Sequence, residues 1–254
     1  MKGRHELLEL TQPEVEAILR RSGLALLPTG SVEQHGPHLP CGTDYLASLV
    51  IGRQVAERLD ALLLPFAPMG VTPFHMSFAG TITLRPETYM ALFEDVCESA
   101  IQHGARRLAV INWHEGNTAS INLAAAAVRR RHPVQMAVVQ ACWVAYELYG
   151  QECGLTHGGE LEVLPILAYD PSLVALERAT NPSPMEPARR MDALRRRRTA
   201  YPIIADVREL YPTGWYGEPQ RATPEKAKEF LDRVSERVAE LIRETLAAVE
   251  GPTS

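Results

Sequence analysis

Cysteine is scarce in this chain, positive charge is not in excess, and long apolar runs are missing. The four cysteines, Cys41, Cys97, Cys142 and Cys153, are scattered without a C-x-x-C pair among 254 residues, which excludes a disulfide framework and a thiolate zinc knot. With 26 Lys and Arg against 31 Asp and Glu, the net charge of -5 leaves no basic footprint for nucleic acid. No window of ~18 uninterrupted apolar residues exists to cross a bilayer. The opening residues, Met1-Lys2-Gly3-Arg4-His5-Glu6, lead into a mixed polar segment instead of the apolar stretch and small-residue cleavage site of a secretory leader. A cytoplasmic protein with no nucleic-acid and no membrane partner is the expectation.

What is present is enough apolar material, 46% of residues against 22% charged, to fill one sizeable core. The chain reads as one domain over residues 1–254. Short apolar runs alternate with longer helical patterns, the signature of strands joined by crossover helices in a largely parallel sheet. Strands are expected at Leu24 to Pro28, Ala61 to Phe66, Leu108 to Asn112 and Val134 to Gln140, with helices at Asp44 to Leu59, Pro86 to His103 and Asn117 to His132. A last helix opens at Thr223-Pro224, a capping hydroxyl followed by a proline suited to the first turn. Its apolar residues, from Ala227 to Leu246, recur on one face and mark a packing helix. Asn181 to Pro187 reads as a loop, and the six arginines of Arg189 to Arg198 as a solvated face or a subunit contact, because no stacking aromatics interleave with them.

Chemistry concentrates at strand ends. Between Gly30 and Asp44, Gly30-Ser-Val-Glu33-Gln-His35-Gly-Pro-His38-Leu-Pro-Cys-Gly-Thr-Asp44 packs two carboxylates and two imidazoles onto a Gly/Pro-rich turn after the first strand. In an open parallel sheet, ligands bind beyond the carboxyl ends of the strands. The segment Asn112-Trp113-His114-Glu115-Gly116-Asn117 follows the third strand, so two loops distant in sequence face one crevice. Glu33 and His35, two apart on an extended segment, project to one side. Asp44 opens the next helix, where it gains from the helix dipole and can bridge two ions. A third cluster, Thr156-His157-Gly-Gly-Glu160-Leu-Glu162, repeats the pairing of imidazole and carboxylate. A lone loop histidine is ordinarily a surface residue, and His5, His103 and His132 are read so; three clusters at strand ends point to a metal site. Imidazole and carboxylate donors suit zinc, manganese or iron alike, and His38 reads either as a ligand or as a partner that orients one.

These residues resemble the creatininase (creatinine amidohydrolase) family. Its Glu-x-His-Gly-x-His-Leu-Pro motif and following Thr-Asp are matched by Glu33 to Pro40 and Thr43-Asp44. Its Asn-Gly-His-Gly-Gly-Asn loop is similar to Asn112 to Asn117, and its His-Ala-Gly-Glu-x-Glu-Thr segment to His157 to Val163. His75 to Ile82, and Thr213 to Pro219 with Ala222-Thr223, also look like the family, so the likeness spans nearly the whole chain. The resemblance implies a three-layer α/β/α sandwich with a mainly parallel sheet, two divalent metal ions per subunit (Zn, Mn or Fe), and a homo-oligomer, often a hexamer. Carried over by position, Glu33, Asp44 and His114 hold one ion, and His35, Asp44 and a further carboxylate the other. In creatininase that carboxylate lies two residues beyond the loop histidine, where this chain has Gly116; Glu160 is therefore assigned, with Glu115 a competing candidate. His157 takes the family's catalytic, proton-shuttling role and Glu115 is a second catalytic candidate, while Trp113, Ser77, Asn117 and His38 are expected to contact substrate. Trp113 and Glu115 replace glycines, which argues against creatinine itself.

The implied reaction is hydrolysis of a non-peptide amide, cyclic or formamide, or of a small peptide-like C–N bond, in a small-molecule substrate. A creatininase-fold peptidase of a peptide-derived cofactor pathway and a metal-binding scaffold without turnover are the alternatives, and the arginines near Arg195 lean toward a phosphorylated substrate.

Overall fold

The computed structural model describes residues 4–249. Met1–Gly3, on which part of the leader argument rests, lie outside the described residues, as do residues 250–254 and the side chains of Glu152 and Cys153. The elements in order are α1 (Gln12–Ser22), β1 (Leu24–Thr29), α2 (Thr43–Leu59), β2 (Leu62–Leu63), α3 (Pro86–Gln102), β3 (Arg107–Asn112), α4 (Thr118–Arg131), β4 (Gln135–Gln140), α5 (Ala141–Cys153), α6 (Glu160–Tyr169), α7 (Met185–Arg195) and α8 (Pro224–Ala248). The four strands pair in parallel in the order β2-β1-β3-β4.

Strand side chains alternate between two apolar layers, as the two-residue period of a strand requires. Leu24, Leu26, Ala109 and Ile111 face one core with residues of α2, α5, α6 and α8. Ala25, Leu27, Leu108 and Val110 face the other, with α1, α3 and α4. Helices thus cover both faces of the sheet, giving the three-layer α/β/α sandwich. Thr223 Oγ1 accepts from Lys226 N at 3.3 Å to cap α8, and Ala227, Phe230, Val234, Val238, Ile242 and Leu246 of that helix are buried.

Two expectations need correction. The second strand is only Leu62–Leu63 rather than Ala61 to Phe66, because it lies at the end of the strand order, with a lone bridge from Leu63 to Glu6 on its outer side, and Pro65 has no N–H to extend the ladder. The run from Asn181 is not all loop, since α7 begins at Met185; Pro187 falls in its first turn, where a missing N–H costs nothing. A third, small apolar cluster (Ala188, Val207, Leu210, Tyr211, Tyr216) sits under α7, with Phe74, Phe78 and Ile204 against it. Cys41, Cys97 and Cys142 are free thiols, and among the described residues no helix is long and apolar enough to cross a membrane.

Candidate metal centre

The register of β1 and β3 fixes the site, because Thr29 pairs with Asn112 at the last rung and both strands then release loops on the same edge. Thr29 Oγ1 donates to Asn112 Oδ1 at 3.0 Å, locking the two exits together. Into the space beyond them project Glu33, Asp44, His75, His114, His157 and Glu162, all lining one cavity of about 420 Å³.

Asp44 stands at its centre. Oδ1 lies 3.2 Å from His35 Nε2 and Oδ2 3.0 Å from His114 Nδ1, while Ser31 Oγ donates to Oδ2 at 2.7 Å. Each imidazole is tied to the backbone through its other nitrogen: His35 Nδ1–H donates to Glu33 O at 3.0 Å, and His114 Nε2–H to Val71 O at 3.2 Å. That leaves the second nitrogen of each ring facing the carboxylates, the arrangement by which a metal-ligating histidine is oriented. Glu33 Oε2 is 3.5 Å from His114 Nδ1 and accepts from Thr72 Oγ1. Glu162 Oε2 lies 3.7 Å from His35 Nε2 and accepts from Gly158 N.

The donor atoms of Glu33, His35 and Asp44, of His35, His157 and Glu162, and of Glu33, His75 and His157 lie within 4.8 Å of one another in each set. Burying this many carboxylates without a cation is costly, and the charges show it. Burial disfavours charge on His35 and His114, yet the carboxylates overcome it: Asp44 and Glu162 hold His35 up to about 10, and Glu33 and Asp44 hold His114 up to about 9. Burial pushes Asp44 up, but His35 and His114 outweigh it and hold its carboxyl far below the usual range. Burial raises Glu162 to about 7 in spite of His35. Mixed carboxylate and imidazole donors with fixed orientations fit a divalent metal ion.

His157 is neutral, as is His75, which burial pushes down to about 2. Burial, then the neighbouring His35 and His75, push His157 well below the ordinary imidazole value. Its Nε2–H donates to Gln34 O at 2.7 Å, so Nδ1 is the free atom, 4.0 Å from Glu162 Oε2. The ring packs against His35 and His75, with centroids 4.3 and 4.6 Å away.

Several expected residues are elsewhere. Glu160 is not in the cluster: its carboxylate meets Lys226 Nζ at 2.9 Å and Arg221 Nε at 3.2 Å. The reason is helical phase, since Glu160 and Glu162 on α6 are ~200° apart, at 100° per residue. Glu162 faces the site and Glu160 faces α8. Glu115 lines the cavity, but its carboxylate is held by Arg195 Nη2 at 3.0 Å and Arg196 Nη2 at 2.8 Å; burial pushes it up, and Arg196 and Arg195 outweigh that and keep it ionised. Ser77 is exposed and donates to Asp206 Oδ1 at 2.9 Å, so it is no part of the cavity wall. Asn117 is buried as a tie between loops, donating to Gly30 O at 2.8 Å and accepting from Val71 N at 2.9 Å. His38 donates to Gly158 O at 2.8 Å and packs on Trp215, supporting the His157 loop from outside the cavity lining. Trp113 does line the cavity, but its ring is buried edge-on to Phe230. The arginine run divides: Arg189, Arg190, Arg197 and Arg198 are exposed, whereas Arg195 and Arg196 line the cavity.

Sequence reasoning missed four participants. His75 Nε2 lies 3.4 Å from Glu33 Oε1, and its Nδ1 accepts from Gln34 Nε2 at 3.2 Å, so the Gln34 amide orients His75 against Glu33. Glu162 carried a signal, as the second acid of its motif. Tyr211, stacked on His157 at 5.8 Å, carried none. Gly116 explains why no acid comes from its own loop: a Cβ there would strike His114 Nε2 and stand 2.5 Å from Val71 O.

A family model described as Creatininase, creatinine amidohydrolase, matches residues 8–242. Among curated relatives, the mycofactocin precursor peptide peptidase of Mycobacterium ulcerans is 32% identical, with 87% of this chain and 85% of that protein covered. The creatinine amidohydrolase of Pseudomonas putida is 30% identical, with 93% and 95% covered. A solved manganese creatininase superposes with a TM-score of 0.78 at 25% identity, covering 96% of this chain and 99% of that one.

Proposed function

The chain belongs to the creatininase family and is a creatininase-family amidohydrolase; from that premise we propose a single-domain enzyme that uses two divalent ions to hydrolyse an amide C–N bond. The carrying observation is Asp44, one oxygen on His35 and the other on His114, the disposition of a bridging carboxylate. Glu33 and His114 would complete one ion's ligands, His35 and Glu162 the other's. Bound there, divalent ions supply an acidified water and polarise the substrate carbonyl. The manganese form of a related creatininase supports a divalent metal at this site.

The chain's own residues supply the proton traffic. His157, neutral and fixed by the Gln34 carbonyl, presents Nδ1 as a base and then delivers the proton to the leaving nitrogen. Gln34 Nε2, also donating to Gly214 O at 2.5 Å, keeps His75 in the tautomer that carries its proton on Nε2, the atom nearest Glu33. The substrate class is a cyclic amide, a formamide or a small peptide-like bond, with the two curated relatives supporting its two ends. A homo-oligomer, with the cytoplasmic hexamer as its proposed form, rests on the family likeness.

The test is a hydrolysis screen of metal-stripped protein reconstituted with manganese or zinc, run over lactams, formamides and short peptides. Metal-dependent turnover of one class, abolished by Asp44→Asn, is the expected result. Fully loaded protein that cleaves none of them would establish the non-catalytic scaffold instead.

A further inference from the structure

The cavity has two ends of opposite chemistry. Its floor is the carboxylate and imidazole cluster, while its mouth is lined by Phe74 and the run Tyr201-Pro202-Ile203-Ile204. Ile204 is packed into the small apolar cluster under α7, but Tyr201 and Ile203 are 58% and 86% accessible. Two large apolar side chains left in water at the rim of a reaction cavity mark a surface that a ligand covers. The run is an irregular strap fixed at both ends. Upstream, Arg195 and Arg196 grip Glu115, and Arg196 Nη1 donates to Leu155 O at 3.2 Å. Downstream, the Ala205 and Asp206 N–H groups donate to Glu209 Oε1 at 3.0 and 2.9 Å, and Asp206 accepts from Ser77. The strap is therefore held over the mouth.

Size and charge narrow the occupant. A cavity of about 420 Å³ falls within the range of roughly 300–1,000 Å³ that holds drug-sized ligands, and only the floor is taken up by hydrolytic donors. The wall arginines do not ask for an anion, because Glu115 and Asp192 already face them, the latter 2.6 Å from Arg195 Nε. At the rim, the side chains left in water are Tyr201 and Ile203.

We propose that Tyr201 and Ile203 are specificity-determining residues that bind an apolar arm of the substrate, so that the preferred amides carry an aromatic or branched aliphatic substituent. The inference rests on the hydrolase reading above. Its test is calorimetric binding of two hydroxamates with the same chelating head, acetohydroxamate and 4-phenylbutyrohydroxamate, to manganese-loaded protein and to the Tyr201→Ser/Ile203→Ser variant. The wild type is expected to bind the phenyl compound roughly tenfold or more tightly than acetohydroxamate, the scale of burying one aromatic group. The double variant is expected to lose most of that preference and keep its acetohydroxamate affinity. Equal affinities for the two hydroxamates in the wild type, or a preference that survives the double substitution, would overturn the inference alone. Binding of neither compound would overturn the hydrolase reading and the inference with it. A double variant that dissociates in sedimentation while retaining the phenyl preference would assign the strap to a second copy of this chain.

Discussion

Glu115 and Arg196 form a forked ion pair, with Arg196 Nη2 and Nε at 2.8 and 3.0 Å from the same carboxylate oxygen. A residue that its position beside His114 suggested for catalysis is thereby a fastener between the β3 loop and the end of α7. Breaking the pair leaves a partly buried guanidinium with Asp192, 3.4 Å away, as its remaining anion. Glu115→Gln should cost about 1–3 kcal/mol of stability, below the range for a fully buried pair because about a quarter of the Glu115 side chain is accessible. It should raise KM more than it lowers kcat, and leave metal content unchanged. Loss of kcat with metals and melting temperature intact would restore Glu115 to the chemistry.

His157→Ala should reduce turnover by roughly 10²–10⁴-fold, the usual weight of a positioned proton-transfer group, with metal content kept. Its Nε2 meets only Gln34, the carbonyl at 2.7 Å and the side-chain amide at 3.2 Å, so the loss should lie in kcat. Full turnover with bound metal would remove the residue from the mechanism.

The metal-stripped protein should lose stability as the pH rises from about 7 to 10. His35 and His114 are held up to about 10 and about 9 by their carboxylate neighbours against burial, whereas an unfolded histidine titrates near ~6.5. Their stabilisation is complete below the unfolded value and disappears as pH climbs through the folded ones. Thermal melts in chelator should fall by roughly 5 °C or more across that window, and added manganese should flatten the curve. A melting temperature that rises with pH in chelator would contradict these charge states.

Much of this architecture is legible in the sequence. The β1 and β3 runs and the α2, α3, α4 and α8 patterns stand within a residue or two of expectation, because two-residue and 3.6-residue periods are strong where one face meets a core. The helix α6 was opaque for the opposite reason: it is apolar nearly all round, packed among α2, α5 and α8, and carries Pro165. Without its phase, Glu160 and Glu162 could not be told apart. Glu33, His35, Asp44 and His114 were readable because strand ends announce them. His75 and the Arg195–Glu115 contact, 80 residues apart in sequence, depend on tertiary placement that no local period encodes.

Gly116→Ala should disturb the centre without touching any donor. The added methyl meets His114 Nε2 and the Val71 carbonyl, so the ring must leave the hydrogen bond that orients it. Metal affinity should fall roughly 10–100-fold, the effect of losing such a supporting contact, with the fold retained by circular dichroism. Unchanged affinity would mean that the His114 carbonyl bond does not matter.

The central claim is that Glu162, not Glu160, completes a two-ion centre bridged by Asp44. Elemental analysis of metal per chain in the wild type, Glu162→Gln and Glu160→Gln tests it most directly. The account predicts about two ions in the wild type, as in dinuclear hydrolase sites, a loss of about one in Glu162→Gln, and full occupancy in Glu160→Gln, which should only weaken the contact of α6 with Lys226 and Arg221. Metal lost from Glu160→Gln and retained in Glu162→Gln would contradict it.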